Sequence, residues 1–151
     1  LDLVPLRYFT VYGPRQRPDM AMNRLFRAAL PGSFRFPLRG NGNQRREFTF
    51  VEDIVDATVR AGYTLKSPSL EAFDIGGGVS ASLAEVMALV EQITEASIRV
   101  DQYPVADGDP LITVASTEQA SKLLGWKANT SLQDGLQQHY ESFSELLTTT
   151  S

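Results

Sequence analysis

The chain has 151 residues, 42% of them hydrophobic and 21% charged, with a formal net charge of −4 and no cysteine. That length suits one domain with a core of its own, and the composition is that of an ordinary globular protein. The acidic balance argues against a nucleic-acid partner, the missing thiols exclude disulfides and thiolate metal sites, and no apolar run reaches the length of a membrane span.

Residues 3–9 are mostly apolar, with β-branched and aromatic members, and predict a buried strand. Gly13-Pro14 stops it and opens a loop in which Arg15 and Arg17 join Arg7. In open α/β sheets, ligands bind where a strand's carboxyl end runs into such a loop and then a helix. Residues 19–30 carry Met22, Leu25, Phe26 and Ala29 at helical spacing, with Asp19 as the expected cap and Pro31-Gly32 as the stop. The amides of Met20, Ala21 and Met22 in the first turn suit an anion, although a plain core helix explains the same residues.

Residues 34–38 predict an extended piece with Phe34, Phe36 and Leu38 alternating, restricted by Pro37 to an edge or bulge. Gly40-Asn41-Gly42-Asn43 predicts a turn, and residues 48–51 a second extended piece, together a hairpin-like excursion. Arg39, Arg45 and Arg46 flank the turn. A solvated charged turn and an anion site both fit them; guanidinium grips phosphate oxygens with two parallel hydrogen bonds, which lysine cannot do.

Residues 52–65 predict a helix with Ile54, Val55, Thr58, Val59, Gly62 and Leu65 on its inward side. Glu52, Asp53 and Asp56 lie in its first turns, where the helix dipole favours negative charge, so capping explains them without metal or catalysis. Residues 72–75 predict a short strand ended by Gly76-Gly77-Gly78, which lacks the lysine and hydroxyl of a P-loop. Ser82-Leu83-Ala84-Glu85 reads as a capping box, followed by the stripe Leu83, Val86, Met87, Val90 and Ile93. Residues 98–100 predict a further strand and residues 101–110 a loop; Asp107 and Asp109 lack calcium-loop spacing. Ser116-Thr117-Glu118-Gln119 reads as a second capping box, its helix carrying Ala120, Leu123 and Leu124 and ending at Gly125, with Trp126 as a core anchor. Ser131 opens the last helix, with Leu132, Leu136, Tyr140, Phe143 and Leu147 inward and His139, the only histidine, expected to be structural or exposed.

The run Arg7-Tyr8-Phe9-Thr10-Val11-Tyr12-Gly13-Pro14-Arg15-Gln16 closely resembles a signature of the extended short-chain dehydrogenases acting on nucleotide sugars, the NAD-dependent epimerases and dehydratases. Residues 40–57, from Gly40-Asn41-Gly42 through Arg46-Glu47-Phe48 to Val55-Asp56-Ala57, resemble the family's second block. Asp74-Ile75-Gly76-Gly77-Gly78, Gly108-Asp109 and Leu124-Gly125-Trp126 are similar to later blocks in the same order. The resemblance implies an α/β fold, with residues 1–151 forming the carboxyl-terminal portion: the last strands of a Rossmann-type sheet plus a small mixed α/β substrate-binding domain. The family's Gly-x-x-Gly-x-x-Gly cofactor turn and catalytic Tyr-x-x-x-Lys do not occur in the sequence; Tyr8, Tyr12, Tyr63, Tyr103 and Tyr140 all lack Lys four positions on. The chain, which starts at Leu1, therefore reads as half of a longer cytoplasmic enzyme, inactive alone, with no catalytic residue of its own. Its implied partners are a nucleotide sugar and an amino-terminal Rossmann half that holds most of the NAD, with a homodimer assembling through that half's helices.

The resemblance also implies a substrate site. Arg46, before Glu47-Phe48, stands where the family binds diphosphate, and Asp109 where it approaches ribose hydroxyls. Ala106 occupies the place of a second diphosphate arginine, leaving Arg39 or Arg45 as substitutes. Thr10, with the run from Gly13 to Ala21, resembles the branch acting on UDP-glucuronate; Thr10 and Arg17 would supply a hydroxyl and a cation to the sugar carboxylate. Thr10 equally fits a β-branched strand residue, and Arg17 a solvated charge. The expected substrate-binding set is Thr10, Arg17, Met20, Ala21, Pro37, Arg39, Arg46 and Asp109. The implied reaction is 4-epimerisation, in which NAD takes a hydride from C4 of the sugar; a dehydratase or decarboxylase, or a noncatalytic nucleotide-sugar-binding module, are the alternatives.

Overall fold

Strand Leu6–Tyr8 (β1) runs parallel to Phe73–Ile75 (β6), Leu6 opposite Phe73 and Tyr8 opposite Ile75. This computed structural model describes residues 3–64, 71–105, 108 and 110–149. Helix Val51–Thr64 (α2) lies over the β1–β6 pair, and Ile54, Ala57 and Ala61 pack with Leu6, Phe73 and Ile75. Helix Glu118–Leu124 (α4) completes that core with Ala120, Leu124 and Trp126. Trp126 is 1% exposed, and its indole Nε1 donates to the Asp53 carbonyl at 3.0 Å. The Asp53 carboxylate accepts from the amides of Asn129 and Thr130, both at 3.1 Å, so this first-turn acid tethers two segments.

A second core lies among helices Ala21–Ala29 (α1), Leu83–Thr94 (α3) and Leu132–Thr149 (α5). Its centre is Phe26, Phe36, Phe50, Val86, Val90 and Leu136. Val11–Tyr12 (β2) pairs in parallel with Thr49–Phe50 (β5), and Phe36–Arg39 (β3) with Val100–Tyr103 (β8). A three-stranded sheet places Arg45–Glu47 (β4) between Ser80–Ser82 (β7) and Ile112–Thr113 (β9). Tyr12 links this core to α5: its hydroxyl lies 3.4 Å from the carbonyls of Ser131 and Leu132. Burial, then Asp53 and Asp134, push its phenol up. No helix among the described residues is long and apolar enough to cross a membrane.

Local signals survive well. Ser82 caps α3 through the predicted box, accepting from the Glu85 amide at 3.1 Å and donating its own amide to the Glu85 carboxylate at 2.7 Å. Gly125 ends α4 in the left-handed conformation, φ 60°. Several expectations change. Asp19 does not cap α1, because Arg17 holds its carboxylate at 2.7 and 3.1 Å; Met20 is the N-cap residue, and the Gln16 side chain accepts from the Asn23 amide instead. Phe34 falls outside β3 and is 43% exposed. The two extended pieces around the glycine turn do not pair as a hairpin. The turn is tied instead to α3, through the Ala84 amide on Gly42 (3.0 Å), and to β8, through the Gly40 amide on Tyr103 (2.8 Å).

On α2 the inward residues are Ile54, Ala57 and Ala61, while Val55 and Val59 are 56% and 50% exposed. Small alanines let the helix sit close to the sheet and turn the bulkier valines to its flank. Thr117 has φ −86° and ψ 1° and caps α4 without a side-chain hydrogen bond, so the second capping box does not form. Residues 101–103 belong to β8, not a loop. Leu147 is exposed and His139 is buried. Leu65, Ala106, Asp107 and Asp109 lie outside the described residues.

Candidate binding site

Alternation along β4 sorts its three charged side chains. Glu47 points inward, 1% exposed, and its carboxylate accepts from the amides of Gly78 and Ala115, both at 2.7 Å. Arg45 points the same way along the strand and is held by the Ser80 carbonyl at 2.6 Å and by Glu85. Arg46, between them, turns to the other face, toward a cavity of about 440 Å³. There its Nη1 also donates to the Pro110 carbonyl at 2.7 Å.

The cavity is built from distant parts of the chain. Ala21 and Arg24 come from the first turn of α1, and Phe36, Pro37 and Arg39 from β3. Tyr103 stands opposite Arg39 in the β3–β8 register, and Thr10 joins from the bend between β1 and β2. Phe48, Gln44 and Leu83 complete the wall. Three arginines, Arg24, Arg39 and Arg46, line it, and no aspartate or glutamate among the described residues does. Arg24 lies 5.6 Å from the Phe36 ring centroid, a cation–π arrangement that steadies it at the wall. Thr10 has φ 22°, strained for a β-branched residue; the Thr49 amide on its carbonyl (3.1 Å) and the Thr49 hydroxyl on the Phe9 carbonyl (2.7 Å) hold it there.

Of the expected set, Thr10, Ala21, Pro37, Arg39 and Arg46 meet at this cavity. Met20 does not line it, and its amide is not free, donating to the Arg17 carbonyl at 3.1 Å. Arg17 is exposed beside the cavity's first helix and paired with Asp19. Asp109 lies outside the described residues. Arg24 and Tyr103 are additions. Arg24 had a weak signal, a cation one turn after Ala21 on the polar flank of α1; Tyr103 had none, since β8 was not expected to reach it.

Residues 1–76 match the Epimerase family, described as the NAD dependent epimerase/dehydratase family. The chain belongs to that family. It is 38% identical over 150 residues to the Bacillus subtilis protein named uncharacterized UDP-glucose epimerase YtcB, covering 97% of this chain and 46% of that one. It is 32% identical over 139 residues to the UDP-glucuronate 4-epimerase of Thermodesulfobacterium geofontis, covering 90% and 41%. The structure of the Bacillus cereus UDP-glucuronic acid 4-epimerase in complex with UDP-glucuronic acid and NAD superposes with a TM-score of 0.88 at 39% identity, over 95% of this chain and 45% of that one. The chain thus spans less than half the length of these relatives. The α/β fold expected for the closing part of a Rossmann-type epimerase is the fold observed.

Proposed function

We propose that this chain is the nucleotide-sugar-binding portion of an NAD-dependent 4-epimerase, and that its substrate is a UDP-sugar, UDP-glucuronate first. The observation that carries this reading is the grouping of Arg24, Arg39 and Arg46, without a described carboxylate, on one cavity of a chain with net charge −4. Two phosphates need several convergent cations, and a nucleoside needs flat apolar walls, here Phe36, Phe48 and Tyr103. Relatives solved with UDP-glucuronic acid and with UDP-glucose support the class of ligand. Thr10 at the cavity and Arg17 just outside it are the groups we assign to the sugar carboxylate.

NAD supplies the hydride acceptor in this family, and the triple-glycine stretch that follows β6 does not fit its diphosphate. The glycine-rich loop after β6 is closed against the protein itself: a Cβ at Gly77 would run into the Phe48 carbonyl, and the Gly78 amide is taken by Glu47. The part of this chain is to hold and orient the substrate, and the cofactor falls to an amino-terminal half.

Calorimetry of the chain with UDP, UDP-glucuronate and NAD tests the reading. UDP and UDP-glucuronate should bind and NAD should not; absence of UDP binding by a folded chain refutes it. A cavity whose described lining comes from this one chain also favours a second reading, a binding module without catalysis. Turnover appearing when an amino-terminal half is supplied separates the two.

A further inference from the structure

Two of the three lysines in the sequence, Lys122 and Lys127, stand on a second cavity, of about 430 Å³. It shares no lining residue with the arginine-lined one. One wall is the Gly76-Gly77-Gly78 loop after β6, and the other is α4 with the chain that follows it.

The glycines explain why there is a gap. A Cβ at Gly76 would collide with the Glu47 carboxylate, and one at Gly77 with the Phe48 carbonyl. The loop is therefore pressed flat against the end of β4. A Cβ at Gly78 would meet nothing within 4 Å. Three successive residues thus send no side chain toward α4, and the space they leave is the cavity.

Across that space the helix presents polar groups. Thr117 and Ser121 are four residues apart, as are Glu118 and Lys122, so two adjacent rows of α4 line the same side. Gly125 turns the chain back in the left-handed conformation, and Trp126 and Lys127 join the wall. The Trp126 indole N–H is spent on the Asp53 carbonyl, so Trp126 offers the cavity apolar surface and no donor. In sequence the triple glycine lacks the lysine and hydroxyl of a P-loop; the fold brings both to it from a distant segment.

These groups are uncommitted. Neither lysine makes a hydrogen bond or ion pair with a described residue, and Lys122 leaves Glu118 unpaired although their spacing allows a bridge. The Thr117 side chain makes no capping bond to α4. Two ammonium groups, each a compact charge with three donors, suit a phosphate dianion better than any neutral ligand. Glu118 repels phosphate but accepts from hydroxyls. It therefore orients a ligand with its phosphate toward the lysines and a hydroxyl-bearing body toward Glu118. The grip comes from side chains and not from the loop, whose Gly78 amide is taken by Glu47.

We propose that this second cavity binds a small phosphorylated polyol of sugar-phosphate size. The site is separate from the nucleotide-sugar cavity and does not depend on the function proposed for it.

The test is a nuclear magnetic resonance titration of the nitrogen-15-labelled chain with glucose 6-phosphate, and in parallel with inorganic phosphate and with glucose. Glucose 6-phosphate should shift the amides of Gly76, Gly77, Gly78, Ser121 and Lys127 to saturation. It should bind several-fold tighter than inorganic phosphate, weaken as salt rises, and have no counterpart with glucose. Lys122→Glu with Lys127→Glu, two exposed positions, should weaken it by at least about tenfold with the melting curve unchanged. Shifts confined to the first cavity, or spread over the surface arginines, overturn the proposal. So does a folded double variant that binds as well as wild type. Inorganic phosphate binding as tightly as glucose 6-phosphate overturns the ligand class, because the body of the ligand then adds nothing. A chain that binds glucose 6-phosphate here but fails to bind UDP would defeat the function proposed above and leave this site standing.

Discussion

Arg46→Ala, read against Arg45→Ala, tests the arginine proposed to bind phosphate against a structural one next to it in the chain. Arg45 is committed: its guanidinium donates to the Ser80 carbonyl at 2.6 Å and to Glu85 at 3.2 Å. Arg46 lines the cavity and keeps one nitrogen on the carbonyls of Arg45 and Pro110, at 2.9 and 2.7 Å. A guanidinium bonded to phosphate contributes roughly 1.5–3 kcal/mol. Because Arg46 shares its donors with two carbonyls, the lower half of that range applies, about 1.5–2 kcal/mol, which is a 10- to 30-fold rise in Kd. Calorimetric titration with UDP reads this directly, with uridine as the control that lacks phosphate. Arg46→Ala should weaken UDP by that factor and uridine hardly at all. Arg45→Ala should lower stability, by at most about 1 kcal/mol for its exposed pair with Glu85 plus the lost Ser80 bond, and leave UDP affinity within about twofold. Equal losses for UDP and uridine, or an Arg45→Ala penalty on UDP as large as that of Arg46→Ala, would refute the assignment of phosphates to this cavity.

The parts of the fold that were legible in the sequence are those decided within a few residues. Ser82 and Glu85 satisfy each other's orphan groups across one turn, and Gly125 needs only its own freedom at φ 60°. The β7–β4–β9 sheet was invisible because its strands have two or three residues, too short for a period, and their partners lie far along the chain. Asp19 failed as a cap through a local competitor, Arg17, two residues away. The face of α2 was misread because valine and alanine are both apolar. What separates them is the closeness of the helix to the sheet, together with a flank left exposed. In the site, family resemblance reached the positions on strands and loops, Thr10, Pro37, Arg39 and Arg46, and Ala21 at the start of a helix. It did not reach Arg24, whose selection depends on Phe36 from another element, or Tyr103, whose place depends on β8 pairing with β3.

Other substitutions test the site and the frame around it. Arg17→Ala frees Asp19 and removes the cation assigned to the sugar carboxylate; it should weaken UDP-glucuronate more than UDP-glucose in parallel titrations, and equal losses would undo that assignment. Gly135→Ala pushes a Cβ against the Tyr12 hydroxyl and to 2.9 Å from Phe50, two side chains each 2% exposed, and should destabilise by about 1–3 kcal/mol in denaturant titration despite alanine's better helix propensity. His139 gives the fold an acid limit. Its ring is 1% exposed and packs edge-on to Phe26 at 5.1 Å, and neither nitrogen has a hydrogen-bond partner among the described residues. Burial pushes its pKa from 6.5 down to about 4. The unfolded chain therefore takes up a proton that the folded chain refuses across this window, so the native state loses stability as pH falls. The contribution of neutral His139 is complete above the unfolded value near 6.5 and fades toward pH 4, by on the order of 2–3 kcal/mol. Carboxylates titrate at the lower end of the same window, so the quantity to measure is the difference between wild type and His139→Leu in urea midpoints at several pH values. That difference should favour the variant increasingly as pH drops from 6.5 to 4; curves that stay parallel would show that the imidazole is charged or hydrated in the fold.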